Sequence, residues 1–208
     1  MAEHARVQDE FLKRQLKPRL RQASAGKRQV YFVDAAHFVL GSYFGWVWAS
    51  APVYLKAAAG RQRYSVLGAW NAATNTLLTA TTEATVTSAT VLELLEEVAK
   101  ARDGVPATLV LDNARYQHCA VQERAAELKI ELLFLPGYSP NLNLIERLWG
   151  FVKKKALRGR YHADFRSFKA AIGACLSQIP GLHRPALATL MTHNFQSFST
   201  FHFTPRKA

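Results

Sequence analysis

Two short apolar runs, each followed directly by an aspartate, constrain the fold of this chain more than any other feature. Residues 30–33 are β-branched or aromatic and precede Asp34, and residues 107–111 precede Asp112. Such runs are typical of buried strands. Each aspartate could simply cap the turn after its strand. However, a carboxylate beside a buried strand is costly unless it is paired, hydrogen-bonded or bound to metal, and two in the same context favour a functional role.

The other apolar patterns predict an α/β fold with a mixed sheet. Short apolar segments predict strands, and apolar residues spaced by three or four predict helices. The predicted strands are 30–33, 44–49, 61–70, 76–82, 107–111 and 130–135, and the predicted helices are 88–102, 116–128, 143–157, 165–176 and 185–195. This order indicates one mixed sheet with helices on its faces. Reaction centres gather at the carboxyl ends of strands in such sheets.

The first 28 residues are polar and basic. Apolar residues recur at helical spacing from Phe11 to Leu20, but Pro18 falls inside that pattern. Proline lacks a backbone donor and crowds the preceding turn, so it usually ends or kinks a helix. The segment is therefore predicted to form a short helix followed by a basic linker.

The charge balance indicates a polyanionic partner. The chain carries 27 Lys and Arg against 15 Asp and Glu, a net charge of +12. Nucleic acid is the commonest such partner, because each neutralised phosphate releases condensed counterions. The alternatives are a generic basic protein or one that binds an anionic membrane surface. The two cysteines lack zinc spacing and no signal peptide or membrane-spanning run is evident, so we expect reduced thiols, a cytoplasmic location and no membrane partner.

A third carboxylate, Glu146, lies near the start of the helix predicted at 143–157. The apolar residues from Ile145 to Val152 form one face of that helix, and Glu146 lies beside it. The alternative is that Asn143 and Glu146 form a capping box. Three carboxylates from separate parts of the chain can hold two Mg²⁺ ions, which prefer oxygen ligands and suit in-line attack on a phosphodiester.

The segments around these three carboxylates resemble the catalytic motifs of DDE transposases. They read Val-Asp-Ala-Ala-His-Phe at 33–38, Leu-Asp-Asn-Ala-Arg-Tyr at 111–116 and Leu-Pro-Gly-Tyr-Ser-Pro-Asn-Leu-Asn-Leu-Ile-Glu-Arg-Leu-Trp at 135–149. The segment at 60–69, Gly-Arg-Gln-Arg-Tyr-Ser-Val-Leu-Gly-Ala, also resembles this family, and the likeness covers about residues 28–170. The bacterial insertion-sequence transposases of the mariner superfamily are the most similar branch. The offset of 146 − 112 = 34 residues between the last two carboxylates is close to that of this superfamily.

The resemblance implies an RNase H-like fold in which Asp34, Asp112 and Glu146 are both the catalytic residues and the metal ligands. It implies two Mg²⁺ ions, with Mn²⁺ as a substitute, cleavage at transposon ends by water, and attack of the freed 3′-hydroxyl on target DNA. Insertion at TA dinucleotides and a homodimer or larger complex on paired ends are also implied. The expected organisation is a basic segment or linker at 1–28, the catalytic domain at 29–160, and a C-terminal helical extension packed on the same domain at 161–208.

Two other functions stay open. One is an RNase H-fold nuclease that only hydrolyses, and the other is an inactive transposase remnant that binds DNA or regulates the full-length enzyme. Family members usually carry an N-terminal helix-turn-helix region that recognises the inverted repeats, whereas about 28 residues precede the first motif here. A fragment, the second frame of a split gene and a degenerate copy would each account for this.

Two further groups of residues are candidates for supporting roles. The first would position the carboxylates and comprises Asn113, His37, Asn141 and Asn143. The second would contact DNA phosphates and comprises Lys153, Lys154, Lys155, Arg158, Arg160 and Arg115. The alternatives are a turn role for the asparagines, a surface role for the histidine, and a solvated basic face for the cations.

Overall fold

Strand β1 (Gln29–Val39), which carries Asp34, is the central strand of a five-stranded sheet. The computed structural model describes residues 2–41, 50–51, 62–112 and 119–195. The other strands are β2 (Arg63–Asn71), β3 (Leu77–Thr82), β4 (Ala107–Leu111) and β5 (Ile130–Phe134), in the spatial order β3-β2-β1-β4-β5. β1 is antiparallel to β2 and parallel to β4, and β4 is parallel to β5, so the predicted mixed sheet is confirmed.

Seven α-helices in the described part of the chain flank this sheet. They are α1 (Ala2–Phe11), α2 (Lys17–Ser24), α3 (Ser88–Ala101), α4 (Ala120–Glu127), α5 (Ile145–Val152), α6 (Phe165–Ser177) and α7 (Arg184–Leu190). The last helix is shorter than the predicted 185–195. The strand predicted at 44–49, together with Asn113 and Arg115, lies outside the described residues. None of the helices described is both long and apolar enough to cross a lipid bilayer.

Alternation along β1 divides the core into two layers. Phe32 and Phe38 point to the layer that holds α1, α2, α5, α6 and α7. Tyr31 and Val33 point to the opposite layer, with α3 and α4. Successive side chains of a strand point to opposite faces, so Asp34 lies on the same face as Phe32 and Phe38, which is the face that α5 covers.

The amino-terminal segment is helical over a longer range than the sequence predicts. A π-helical turn at Leu12–Leu16 joins α1 directly to α2, and Leu12, Leu16 and Leu20 are buried in the core. The prediction of a short helix followed by a linker is therefore wrong, because the segment is helical from Ala2 to Ser24. In the π turn the Lys17 N–H donates to the Leu12 carbonyl five residues back, and this wider turn accommodates the proline ring at the start of α2.

Candidate active site

The three predicted carboxylates line one cleft of about 560 Å³. Asp34 lies within β1, Asp112 follows the last residue of β4, and Glu146 is the second residue of α5. The remaining lining comes from residues 135–140 and Asn143, which connect β5 to α5. The parallel pairing of β1 with β4 brings the two aspartates to the same region of the sheet, because parallel strands run in one direction.

Asp34 is the most buried of the three carboxylates, and its pKa is raised to about 7. Burial is the largest cause, and the negative charge of Glu146 is the next. A backbone hydrogen bond at Ala35 lowers the pKa, and Asp112 raises it. The Trp149 indole N–H has no hydrogen-bond partner of good geometry among the described residues, but it lowers the pKa of Asp34 slightly. Partial dehydration of the Asp34 carboxylate is therefore the main reason for its raised pKa, and repulsion by the neighbouring carboxylates adds to it.

The donor set of this cleft fits a hard divalent cation. Carboxylate oxygens are the ligands that Mg²⁺ prefers, and a cation would relieve the repulsion that raises the pKa of Asp34. Among the residues that the structure describes, no three His, Cys, Asp or Glu side chains converge closely enough to hold an ion by themselves. Mg²⁺ usually keeps several waters and takes further oxygen ligands from substrate phosphates.

Asn143 ties the start of α5 to β1. Its Nδ2 donates to the Val33 carbonyl at 3.1 Å, one residue before Asp34, and its own carbonyl accepts from the Glu146 N–H at 3.2 Å. The capping box is wrong, because Leu144 is the N-cap residue of α5 and makes no side-chain capping bond. Glu146 is exposed toward the cleft instead. The positioning role of Asn143 stays a prediction that this contact supports.

The other candidates lie in different places. His37 lies three residues beyond Asp34 and therefore on the opposite sheet face, where its Nδ1 is 2.9 Å from Ser65 Oγ. Burial and the charge of Arg63 lower the pKa of His37. Asn141 lies in the loop before α5 and bonds to Gln8 rather than lining the cleft. The cations that follow α5 are all exposed to solvent and lie outside the cleft lining: Lys153, Lys154, Lys155, Arg158 and Arg160.

Two residues that sequence reasoning did not single out support the site. Gly68 on β2 pairs with Asp34, and a Cβ there would lie 2.7 Å from the Trp149 ring. Gln8 on α1 is fully buried and contacts the loop that precedes α5. The glycine within an otherwise apolar strand was an available signal, because such a residue often marks a close approach. Nothing local in the sequence marks Gln8, since its partner is 131 residues away.

Comparison with known proteins agrees with this geometry. The profile of a family described as DDE superfamily endonuclease matches residues 29–169. Among curated proteins, the uncharacterized protein y4pE/y4sA of Sinorhizobium fredii (strain NBRC 101917 / NGR234) is 36% identical over 63 residues, which cover 30% of this chain and 45% of that protein.

Two solved structures show the same fold. The Mos1 transposase paired-end complex with left transposon end has a TM-score of 0.60 and 15% identity, covering 93% of this chain and 64% of that chain. The Mos1 mariner paired end complex with Mn also has a TM-score of 0.60 and 15% identity, covering 91% of this chain and 63% of that chain. The expected RNase H-like fold is thus confirmed, and this chain spans less than two thirds of each of these proteins.

Proposed function

Because the chain belongs to the DDE superfamily endonucleases, we propose that it is the catalytic domain of a DNA transposase. In this proposal it cuts DNA at transposon ends and joins the freed 3′-hydroxyl to target DNA. The observation that carries the proposal is the meeting of Asp34, Asp112 and Glu146 in one cleft, although they come from three distant parts of the chain. Each is the carboxylate that its motif requires, and this supports an active enzyme over a decayed remnant.

Asp34, Asp112 and Glu146 would hold the divalent ions, two Mg²⁺ in this proposal, with Mn²⁺ as a substitute. Such ions activate an attacking oxygen and stabilise a leaving one when bound. The chain itself supplies the placement of the ligands. β1 and β4 hold the two aspartates on adjacent strands, and Asn143 fixes the start of α5 relative to β1, so Glu146 faces the same cleft.

The proposed substrates are transposon ends and target DNA. A net charge of +12 favours a polyanionic partner, and Lys153, Lys154 and Lys155 form an exposed run about two helical turns beyond Glu146. In this proposal the cations that follow α5 bind phosphates of the DNA, and the scissile bond of the same DNA lies in the cleft. The domain would act in the bacterial cytoplasm, in association with the nucleoid, as a homodimer or larger complex on paired ends. Under this proposal the chain consists of an amino-terminal segment at 1–28, the catalytic domain at 29–160 and a C-terminal helical extension at 161–208, with the first segment packed on the catalytic domain.

A cleavage assay tests the proposal. The substrate is a labelled duplex carrying the inverted repeats that flank the source gene, incubated with Mg²⁺, Mn²⁺ or EDTA. We expect metal-dependent nicking that Asp112→Asn abolishes and that Asp103→Asn retains. Asp103 is a matched control, because it is an exposed aspartate with a φ of 50° in the turn after α3, a backbone conformation that asparagine also adopts readily.

The products distinguish the three candidate functions. Joined products between the cut end and a second duplex indicate a transposase. Nicking without joined products indicates a nuclease that only hydrolyses. A chain that binds the duplex but cuts it with neither metal ion is a remnant, and the proposal of an active enzyme is then wrong.

A further inference from the structure

Gln8 on α1 is a buried polar side chain far from the cleft in sequence. Its side chain is completely inaccessible to solvent. Burying an amide side chain costs free energy unless the surrounding protein supplies its hydrogen-bond partners. One partner is His4 Nε2, 3.0 Å away on the same helix, and the others belong to the segment between β5 and α5, more than 130 residues away.

These partners belong to the loop that forms the cleft wall. The Gln8 Nε2 donates to Ser139 Oγ at 2.9 Å, and the Gln8 Oε1 accepts from Asn141 Nδ2 at 3.1 Å. One helical turn earlier on α1, His4 Nε2 lies 3.2 Å from the Tyr138 carbonyl oxygen. The amino-terminal helix therefore contacts three of the four residues from 138 to 141, and two of these, Tyr138 and Ser139, line the cleft.

The loop conformation needs such support. Tyr138 has a φ of 52° and its side chain is 95% exposed. A non-glycine residue in the left-handed region persists only where its surroundings fix it. Packing of the exposed Tyr138 ring does little to fix this backbone conformation, whereas α1 contacts the Tyr138 carbonyl and the Ser139 and Asn141 side chains directly.

The same loop sets the position of Glu146. Its last turn, Pro140–Leu142, leads into Asn143, which bonds to the Val33 carbonyl beside Asp34. The Glu146 N–H donates to the Asn143 carbonyl. A displacement of residues 138–141 would thus move the start of α5, and with it Glu146, relative to the aspartates.

We propose that Gln8 is a positioning residue that holds the loop before α5, and through it Glu146, in the geometry needed for metal binding and DNA cleavage. This role rests on the proposed function for its effect on catalysis. It also makes the amino-terminal helix a functional part of the catalytic unit. Partners that orient metal ligands typically contribute 10–100-fold to metal affinity or activity.

The test compares Gln8→Leu with Arg19→Gln. Leucine is close to glutamine in size and removes the hydrogen bonds of Gln8 to the loop, together with its contact with His4. Arg19 lies on the same amino-terminal helical segment, but it binds Glu131 near the start of β5, at the end of that strand opposite to the loop. Gln8→Leu is expected to weaken Mn²⁺ binding, followed by electron paramagnetic resonance, and to lower kcat for nicking, each by about 10–100-fold. Arg19→Gln is expected to lower the melting temperature without either effect.

Hydrogen exchange separates this proposal from the proposed function. Gln8→Leu is expected to speed amide exchange at residues 137–146, and Arg19→Gln is not. A double-mutant cycle with Asn141→Ala is expected to be non-additive, because both changes remove the same contact. Unchanged exchange at 137–146 in Gln8→Leu, or equal acceleration in Arg19→Gln, would overturn the positioning role. If wild type neither binds Mn²⁺ nor cuts DNA, the proposed function fails, and the exchange comparison still decides whether Gln8 holds the loop.

Discussion

Gly68 and Trp149 are in contact across the sheet face that carries Asp34. Gly68 is the β2 residue that pairs with Asp34, and the Trp149 ring occupies the space that a Cβ at position 68 would need. The nearest ring carbon would lie 2.7 Å from that Cβ, and the Ile145 Cδ1 would lie 3.0 Å from it. The absence of a side chain at Gly68 therefore lets α5 approach the sheet closely enough for Glu146 to share a cleft with Asp34.

Gly68→Ala is expected to push α5 away from β2. Overpacking a close contact of this kind costs about 1–3 kcal/mol, and the shift falls on the helix that carries Glu146. We expect a lower melting temperature and a loss of nicking that exceeds the loss of folded protein. The matched control is Gly150→Ala on α5, where nothing lies within 4 Å of the added Cβ. That change should stabilise the helix by roughly 0.5–1 kcal/mol and keep the activity.

Asp34→Asn is expected to stabilise the metal-free protein while abolishing cleavage. Burial and the neighbouring charges of Glu146 and Asp112 raise the pKa of Asp34 to about 7, so ionising it at pH 8 costs free energy in the folded chain. Asparagine keeps the shape and removes that cost, which is of the order of 2–4 kcal/mol. Thermal unfolding in EDTA at pH 8 measures the effect. Addition of Mg²⁺ should then stabilise wild type and not Asp34→Asn.

The three carboxylates that line the cleft could be found in the sequence because their context is local. Asp34 and Asp112 each follow a run of buried strand residues, and Glu146 follows a loop rich in Pro, Gly and Asn. Period and turn chemistry therefore place Asp112 and Glu146 at element ends, whereas β1 continues past Asp34 to Val39 because its pairing with β2 extends that far. The order of strands and helices was sufficient to predict the mixed sheet, because strands that alternate with helices along a chain pack in only a few architectures.

The residues that support the site depend on contacts that no local pattern encodes. The importance of Gly68 appears only when α5 lies over β2, and that of Gln8 only when α1 lies beside the loop at 138–141. Pro18 misled the prediction for the amino-terminal segment, because a π turn and core burial of Leu16 and Leu20 outweigh the usual effect of proline. His37 is only three residues from Asp34 in sequence, and this proximity suggested that the two side chains meet. Because β1 continues through both residues, their side chains lie on opposite faces of the sheet.

Arg147→Lys is expected to loosen the chain that follows α7. The guanidinium donates to the carbonyl oxygens of Leu190, Thr192 and Asn194 at 3.2, 2.7 and 2.7 Å. Lysine keeps the charge but cannot reproduce three divergent hydrogen bonds, so we expect a loss of about 1–3 kcal/mol. Urea unfolding measures the loss, and faster amide exchange at 190–195 locates it. Arg184→Lys, at an exposed arginine on α7, is the control.

Glu131 should make the folded state sensitive to acid. The Arg19 hydrogen bond is the largest cause that lowers the pKa of Glu131, from 4.5 to about 2, and Thr108 and Arg28 add to it. A carboxylate whose pKa falls on folding stabilises the protein fully above about pH 4.5. That contribution is lost progressively as the pH falls toward 2.

Because the Glu131 side chain is 37% exposed, solvent screening reduces this contribution to about 1–2 kcal/mol. The free energy of unfolding of wild type should therefore fall more steeply than that of Glu131→Gln between pH 5 and 2.5. Urea unfolding across that pH range measures both. Parallel curves would contradict a stabilising role for the ion pairs that Glu131 makes with Arg19 and Arg28.

Replacing Lys153, Lys154 and Lys155 together with glutamine is expected to flatten the salt dependence of DNA binding. Each phosphate that a cation neutralises changes the slope of log K against log salt by about 0.9, so the loss of three contacts reduces the slope by up to about 2.7. Fluorescence anisotropy with a labelled duplex at several salt concentrations measures it. A solvated basic face that touches no DNA would leave the slope unchanged.

The matched control removes the same amount of positive charge at the opposite ends of the parallel strands. Lys27, Lys100 and Lys129 are exposed and lie near the amino-terminal ends of the parallel strands, whereas Asp112 follows the carboxyl end of β4. If the cations after α5 hold the DNA beside the cleft, the control triple variant should keep the wild-type slope of log K against log salt to within about 0.9, the value of one phosphate contact. Equal losses in both variants would show that binding follows net charge alone, and the assignment of phosphate contacts to the segment after α5 would then be wrong.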